Sequence, residues 1–243
     1  MNFILVTGVN GGIGHAIYST LTQSGYQVIG CDISSNTRNM KYFIQWDLSA
    51  LSDESNFKKF SKLLSTIIKE HTLVALINNA AVQILGGINT LTIADFNKTL
   101  AVNIVAPLAL TKICYPYLKN SRGSVINIGS IHSKLTKPEF IAYATSKAAL
   151  EGLTKSLAVD CGDKIRVNAI LPAAIETPML KSGFGNAPDK LNALKSFHPS
   201  KSIGNPTEIA KIIDFLISDT GLFVNGATWN IDGGISHRLY DPV

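Results

Sequence analysis

The opening fourteen residues constrain the fold of this chain more than any other stretch. Asn2 to Thr7 is a compact apolar run that passes directly into Gly8-Val9-Asn10-Gly11-Gly12-Ile13-Gly14. The spacing predicts a strand, a loop and then a helix to about Ser24, with Gly25 as its stop. Glycines in that place let the backbone turn tightly and approach a pyrophosphate resting on the helix N-terminus. A purely structural turn would use the same residues, so the weight of the loop comes from its position between strand and helix.

The same alternation continues along the chain. Short β-rich runs are expected at 26–31, 42–46, 73–77, 124–128, 165–171 and 227–231. Between them lie helical stretches. Residues 52–71 carry Phe57, Phe60, Leu64, Ile67 and Ile68 at helical spacing. Thr92-Ile93-Ala94-Asp95 resembles a capping box opening a helix to about 118, and another helix covers 142–159. Asn205-Pro206-Thr207-Glu208 starts a last one, ending near 218. Strands alternating with helices imply βαβ units: an α/β fold with a single, doubly wound, Rossmann-type parallel sheet and helices on both faces. No linker or repeat divides the chain, so residues 1–243 read as one domain. The exception to the regular pattern is 177–205, which holds Gly183, Gly185, Pro188 and Pro199 and no clean periodicity. A long irregular insert of this kind serves as a lid or substrate loop, or is a passive surface excursion.

Composition excludes several classes. The +5 net charge comes from scattered basic residues, whereas a nucleic-acid footprint needs them clustered. No run reaches the length of apolar residues that a membrane span needs, and the N-terminus, without a basic leader, reads as a first strand. Cys31, Cys114 and Cys161 are an odd, widely spaced set, which argues against a disulfide framework or a zinc site and for a reducing, cytoplasmic setting. No metal is expected.

Two further features carry chemistry. Asp32 ends the second strand, where a carboxylate can accept hydrogen bonds from the adenosine ribose and repel a 2′-phosphate. That favours NAD over NADP, although a turn aspartate would look the same and nearby Arg38 keeps NADP as a minority reading. Tyr143 and Lys147 lie one helical turn apart on one face. A neighbouring cation favours the phenolate and makes a phenol a usable proton donor and acceptor. In isolation such a pair is commonplace.

Taken with their context, these residues resemble the short-chain dehydrogenase/reductase family over essentially the whole chain, in its standard-length branch. The glycine loop corresponds through Thr7, Gly8, Gly12 and Gly14, with Asn10 and Ile13 inside it. Asp47-Leu48 resembles the adenine-contacting position, and Asn78-Asn79-Ala80 the element after the fourth strand. Pro172, Ile175 and Thr177 follow the sixth strand, where the family contacts the nicotinamide. Alanine replaces the family's usual glycine at Ala81 and Ala173. The resemblance implies hydride exchange between a nicotinamide cofactor and a secondary alcohol or ketone. In it Ser130 polarises the substrate oxygen, Tyr143 is the acid/base, Lys147 lowers the tyrosine pKa and binds the nicotinamide ribose, and Asn103 fixes a water. It also implies a homotetramer.

Substrate-pocket walls are expected at Gln83, Ile131, His132, Ala174, Phe184 and His198, with His132 either a substrate contact or a plain surface histidine. Arg122, Lys134 and Arg166 would suit an acidic carrier protein. The rival readings are an NADP-dependent 3-oxoacyl-[acyl-carrier-protein] reductase and a catalytically silent cofactor-binding regulator.

Overall fold

A computed structural model describes residues 1–183 and 187–239. At its centre are seven strands: β1 (Asn2–Thr7), β2 (Gln27–Asp32), β3 (Tyr42–Gln45), β4 (Thr72–Asn78), β5 (Ser124–Ile128), β6 (Arg166–Pro172) and β7 (Thr228–Ile231). They form one sheet in the order β3-β2-β1-β4-β5-β6-β7, and every pairing is parallel. The helices are α1 (Gly12–Gln23), α2 (Glu54–Ile68), α3 (Ile93–Leu100), α4 (Ala106–Ser121), α5 (Ile141–Cys161), α6 (Pro178–Gly183), α7 (Pro188–Phe197) and α8 (Pro206–Ile217). From β1 the chain builds outward one way, and from β4 the other. The connections therefore diverge between these two strands and leave a crevice at their C-terminal ends.

Parallel strands are buried on both faces, and β1 shows it residue by residue. Phe3 and Leu5 enter one core with Phe60, Leu64 and Ile68 of α2 and Leu110, Ile113 and Leu118 of α4. Ile4 and Val6 enter the other with Ile17 and Leu21 of α1 and Ile209, Ile213 and Leu216 of α8. Each such side chain contributes about 1.5–3 kcal/mol on burial.

The helix expected from 93 to about 118 has its N-cap at Thr92, whose hydroxyl accepts from the Asp95 N–H at 3.0 Å, but the capping box is not completed, because the Asp95 carboxylate accepts from that hydroxyl instead. The helix is not uniform, because a π turn at Ala101–Val105 separates α3 from α4. Pro107 lacks the N–H that a regular α-turn would direct to the Asn103 carbonyl. The whole run Ile93–Ser121 is long and apolar enough to cross a membrane, yet 56% of its most apolar window is buried inside the protein.

Two expectations need correction here. The segment 177–205 is largely helical, containing α6 and α7. The α7 helix opens on a proline, carries Asp189 in its first turn and Lys195 in its last, and so suits the helix dipole. It escapes a periodicity search because it is short and mostly polar. Arg166, expected at the surface, is buried at the start of β6. Its Nη1 donates to the carbonyls of Leu216 at 2.7 Å and Gly221 at 2.8 Å. A cation against the carbonyls of the last turn of α8 and of the turn that follows it is favourable by charge, and no carrier protein can reach it there.

Candidate active site

The crevice is lined first by the glycine loop. Gly8 has φ +63°, and a Cβ there would meet the Ala80 Cα at 2.8 Å; a Cβ on Gly12 would meet Thr177 Cγ2 at 2.8 Å. The loop thus lies directly against the segments that follow β4 and β6. Thr7 and Asn79 brace it. The Thr7 hydroxyl accepts from the N–H groups of Asn79 and Ala80, both at 3.0 Å. The Asn79 amide donates to the carbonyls of Thr7 and Gly8 at 2.9 and 3.1 Å. The α1 N-terminus that opens beside the loop has neither a side-chain cap nor an acidic residue in its first turn. Its first N–H groups and positive dipole end are left to an external anion.

Asp32 stands beside this loop at the end of β2. Its carboxylate accepts from the Asn10 N–H at 3.0 Å and from the Ser34 N–H and hydroxyl at 3.1 and 2.8 Å. The Asn10 side chain in turn donates to Ser34 Oγ and the Ser35 carbonyl and accepts from Thr37. Asp47 caps the short helix that begins at Leu48, accepting from the Ser49 N–H and hydroxyl. On the opposite wall lie Pro172 and Ile175, both buried, then Thr177, whose hydroxyl accepts from the Leu180 N–H at 3.2 Å. A glycine cradle, an uncapped helix N-terminus and a fixed carboxylate together fit a dinucleotide: Gly8, Gly12, Ile13 and Gly14 against the pyrophosphate, Asp32 against the ribose.

Tyr143, Ser130 and Lys147 come together at the head of the crevice. The Ser130 hydroxyl accepts from the His132 N–H at 3.2 Å and lies close enough to the Tyr143 phenol to lower its pKa. Lys147 is almost wholly buried; its Nζ donates to the Ile128 carbonyl at 2.7 Å and lies 5.6 Å from the centroid of the Tyr143 ring. The sequence reading held that Lys147 lowers the phenol pKa. In the protein alone, burial dominates and raises it, and the opposing pull comes from the Ser130 hydroxyl. Asn103, at 1% exposure, spends its side chain on protein. It accepts from the Val82 N–H at 2.9 Å and donates to the Val82 carbonyl at 3.0 Å and to Ser146 Oγ at 2.9 Å. Ser146 is the functional residue that sequence reading passed over. Fully buried, it donates to the Tyr143 carbonyl at 2.7 Å and so ties the π turn to the first turn of α5. The available signal was a serine inside a helix, where that residue is disfavoured unless its hydroxyl has a task.

The expected pocket walls divide. His132 and Ile131 follow Ser130 in a short helical turn. The His132 ring packs on Phe140 and, edge-on, on Tyr143. Gln83 is exposed and Ala174 half-buried, while Phe184 lies outside the described residues. His198 is not a wall: it is buried, with Nδ1 at 2.9 Å from the Leu194 carbonyl, beneath the turn at Gly233. Arg122 is exposed in the left-handed cap of α4, and Lys134 pairs with Asn230 and Glu151.

Burial pulls the Lys147 ammonium from 10.5 down to about 8. Above 10.5 the amine is neutral in the folded and unfolded chain; below about 8 it is charged in both, and the folded state bears the full cost of burying it. Between these values the unfolded chain holds the extra proton, so stability from this group rises with pH. The wild-type protein should therefore gain roughly 3 kcal/mol relative to Lys147→Met across that window. Urea unfolding of both proteins at several pH values measures the difference, and parallel pH profiles would refute the buried charge.

Residues 8–236 match the family model described as Enoyl-(Acyl carrier protein) reductase. The chain is 32% identical over 244 residues to human dehydrogenase/reductase SDR family member 4, covering 97% of this chain and 87% of the relative. Among solved structures it is similar to ligand-free aldohexose dehydrogenase of Thermoplasma acidophilum, with a TM-score of 0.92 and 30% identity over 100% of this chain and 96% of that one. It is also similar to 4-hydroxyisoleucine dehydrogenase complexed with NADH, with a TM-score of 0.87 and 31% identity over 98% and 100%.

Proposed function

The chain belongs to the short-chain dehydrogenase/reductase family, an NAD(P)-dependent oxidoreductase acting on a small molecule, and from that premise we propose that it interconverts a secondary alcohol and its ketone with NAD as the favoured cofactor. The observation that carries this reading is the placing of the Ser130 hydroxyl close to the Tyr143 phenol, beside the buried Lys147 amine, in the crevice that the glycine cradle opens. The cofactor supplies hydride transfer at the carbinol carbon. Ser130 donates to the substrate oxygen, with its own lone pair engaged by the His132 N–H. Tyr143 gives a proton to that oxygen during reduction and takes it during oxidation. Lys147 holds positive charge close to the ring, which favours the phenolate that forms in between. Asn103, with its carbonyl released by Pro107, is suited to hold a water on the path from Lys147 to solvent.

NAD is favoured because the Asp32 carboxylate, held beside the glycine loop by the Asn10 and Ser34 N–H groups, suits a ribose hydroxyl and repels a 2′-phosphate, and because a similar enzyme is complexed with NADH. NADH should bind at least about tenfold more tightly than NADPH, a difference of about 1.4 kcal/mol. Fluorescence titration with each cofactor checks this, followed by nicotinamide absorbance with a panel of secondary alcohols and ketones. Tighter NADPH binding would overturn the role of Asp32, and no turnover across the panel the reaction class. A carrier-bound acyl substrate is the second reading, favoured by the description of the matching family model; the burial of Arg166 weighs against it.

The single sheet supports one domain for the whole chain, with 177–205 as its substrate loop. Exposed Val105, Leu108 and Val159 on the run from the π turn into α4 and on α5 support a homotetramer, for which light scattering should read four chains. Three free, buried thiols support a cytoplasmic location.

A further inference from the structure

His132 lies two residues after Ser130, and its backbone N–H orients the Ser130 hydroxyl. Its ring centroid is 6.0 Å from that of Tyr143, edge-on at 72°, and 4.6 Å from that of Phe140. Nδ1 is 3.1 Å from the Leu135 carbonyl. A carbonyl only accepts, so the neutral imidazole carries its hydrogen on Nδ1 and its lone pair on Nε2. Burial and the nearby Lys137 both lower the His132 pKa, with the Leu135 carbonyl opposing them, which keeps the ring in that neutral form. Nε2 has no hydrogen-bond partner among the described residues and is not among the buried, unpartnered atoms, so it is open to a ligand. The Lys137 ammonium stands 4.4 Å from the centroid of the Phe140 ring, on which His132 packs. Positive charge there repels an ammonium donor and tolerates a neutral or anionic ligand.

An open acceptor within a small molecule's length of the reacting phenol calls for a substrate with a second neutral donor. We propose that His132 is a specificity-determining residue whose Nε2 accepts a hydrogen bond from a second hydroxyl of the substrate, so that the site takes polyhydroxylated compounds: sugars, sugar acids or polyols. One hydroxyl reacts at Tyr143 while a neighbouring one is held by His132. This rests on the dehydrogenase reading above and adds the substrate class. A site that hydrogen-bonds a hydroxyl favours the substrate that carries it over the analogue that lacks it.

Butane-2,3-diol and butan-2-ol provide the test, since they differ by one hydroxyl next to the reacting carbon. The wild-type protein should show a kcat/KM for the diol about tenfold or more above that for the mono-alcohol. In His132→Phe, which keeps an aromatic ring on Phe140 and Tyr143, the ratio of the two should fall by about tenfold, mainly through the KM of the diol. His132→Gln, whose amide oxygen accepts, should recover part of it. A ratio of two substrates measured on one preparation does not depend on how much of a variant folds. Equal use of both alcohols by the wild type, or an unchanged ratio in His132→Phe, overturns the role of His132 and leaves the dehydrogenase reading standing. Failure to oxidise either alcohol, or a hexose, with either cofactor overturns both.

Discussion

Tyr143→Phe lowers kcat by about three orders of magnitude and leaves NADH affinity within a few-fold of wild type, as expected when a positioned acid/base worth 10²–10⁴ in rate is removed. The substitution deletes one oxygen. The remaining ring keeps its contacts with Phe140 at 5.9 Å and with His132, so the turn around Ser130 stays in place. The glycine cradle, at the other end of the crevice, does not involve the phenol. Nicotinamide absorbance reads the turnover and fluorescence titration reads the binding. Undiminished turnover would remove Tyr143 from the chemistry; a parallel collapse of NADH binding would make its role structural.

Gly14→Ala should destabilise the protein by at least about 3 kcal/mol and lower Tm by roughly 6–12 °C. A Cβ at Gly14 would lie 2.1 Å from the Gly8 carbonyl oxygen and 2.8 Å from Gly8 C and Val9 Cα. All three are backbone atoms of the cradle, so the only relief is to move the exit of β1, and NADH affinity should fall with the stability. Gly152→Ala in α5 is the matched control. It is exposed and has no atom near the added methyl, so it should stabilise by about 0.5–1 kcal/mol through helix propensity. Calorimetric scans of both variants decide the matter: a Gly14→Ala protein that melts and binds NADH like wild type would mean the loop is looser than its geometry.

The features legible in the sequence are those set by local pattern. Asn2 to Thr7 reads as a buried strand because its middle, Phe3 to Val6, is continuously apolar, and the cluster of glycines after it marks a tight turn into the helix. The Tyr143–Lys147 pair was legible because four residues is one helical turn. Features that depend on distant partners were not. Arg166 reads as a surface cation until Leu216 in the last turn of α8 and Gly221 in the turn after it place their carbonyls on it, 50 and 55 residues further along the chain. His198 reads as a pocket wall until the turn at Gly233 covers it. The π turn at Asn103 reflects Pro107 and the Val82 backbone together, and α7 is too polar to show a face. The raised phenol pKa was missed for a related reason: spacing brings a cation near, but burial, which acts against it, is a property of the folded molecule.

Apart from Tyr143 and Lys147 on α5, the residues that line the crevice hang from the ends of strands whose own side chains are committed to the two cores. Ser130 and His132 follow β5, Thr177 and the two small helices follow β6, and Val82 and Gln83 follow β4. Framework and tip thus answer to separate demands. Exchange of the tips, at 131–140 and 174–205, can redirect the enzyme toward another alcohol without renegotiating a single strand register, which makes the scaffold a handle onto which new selectivities can be fitted.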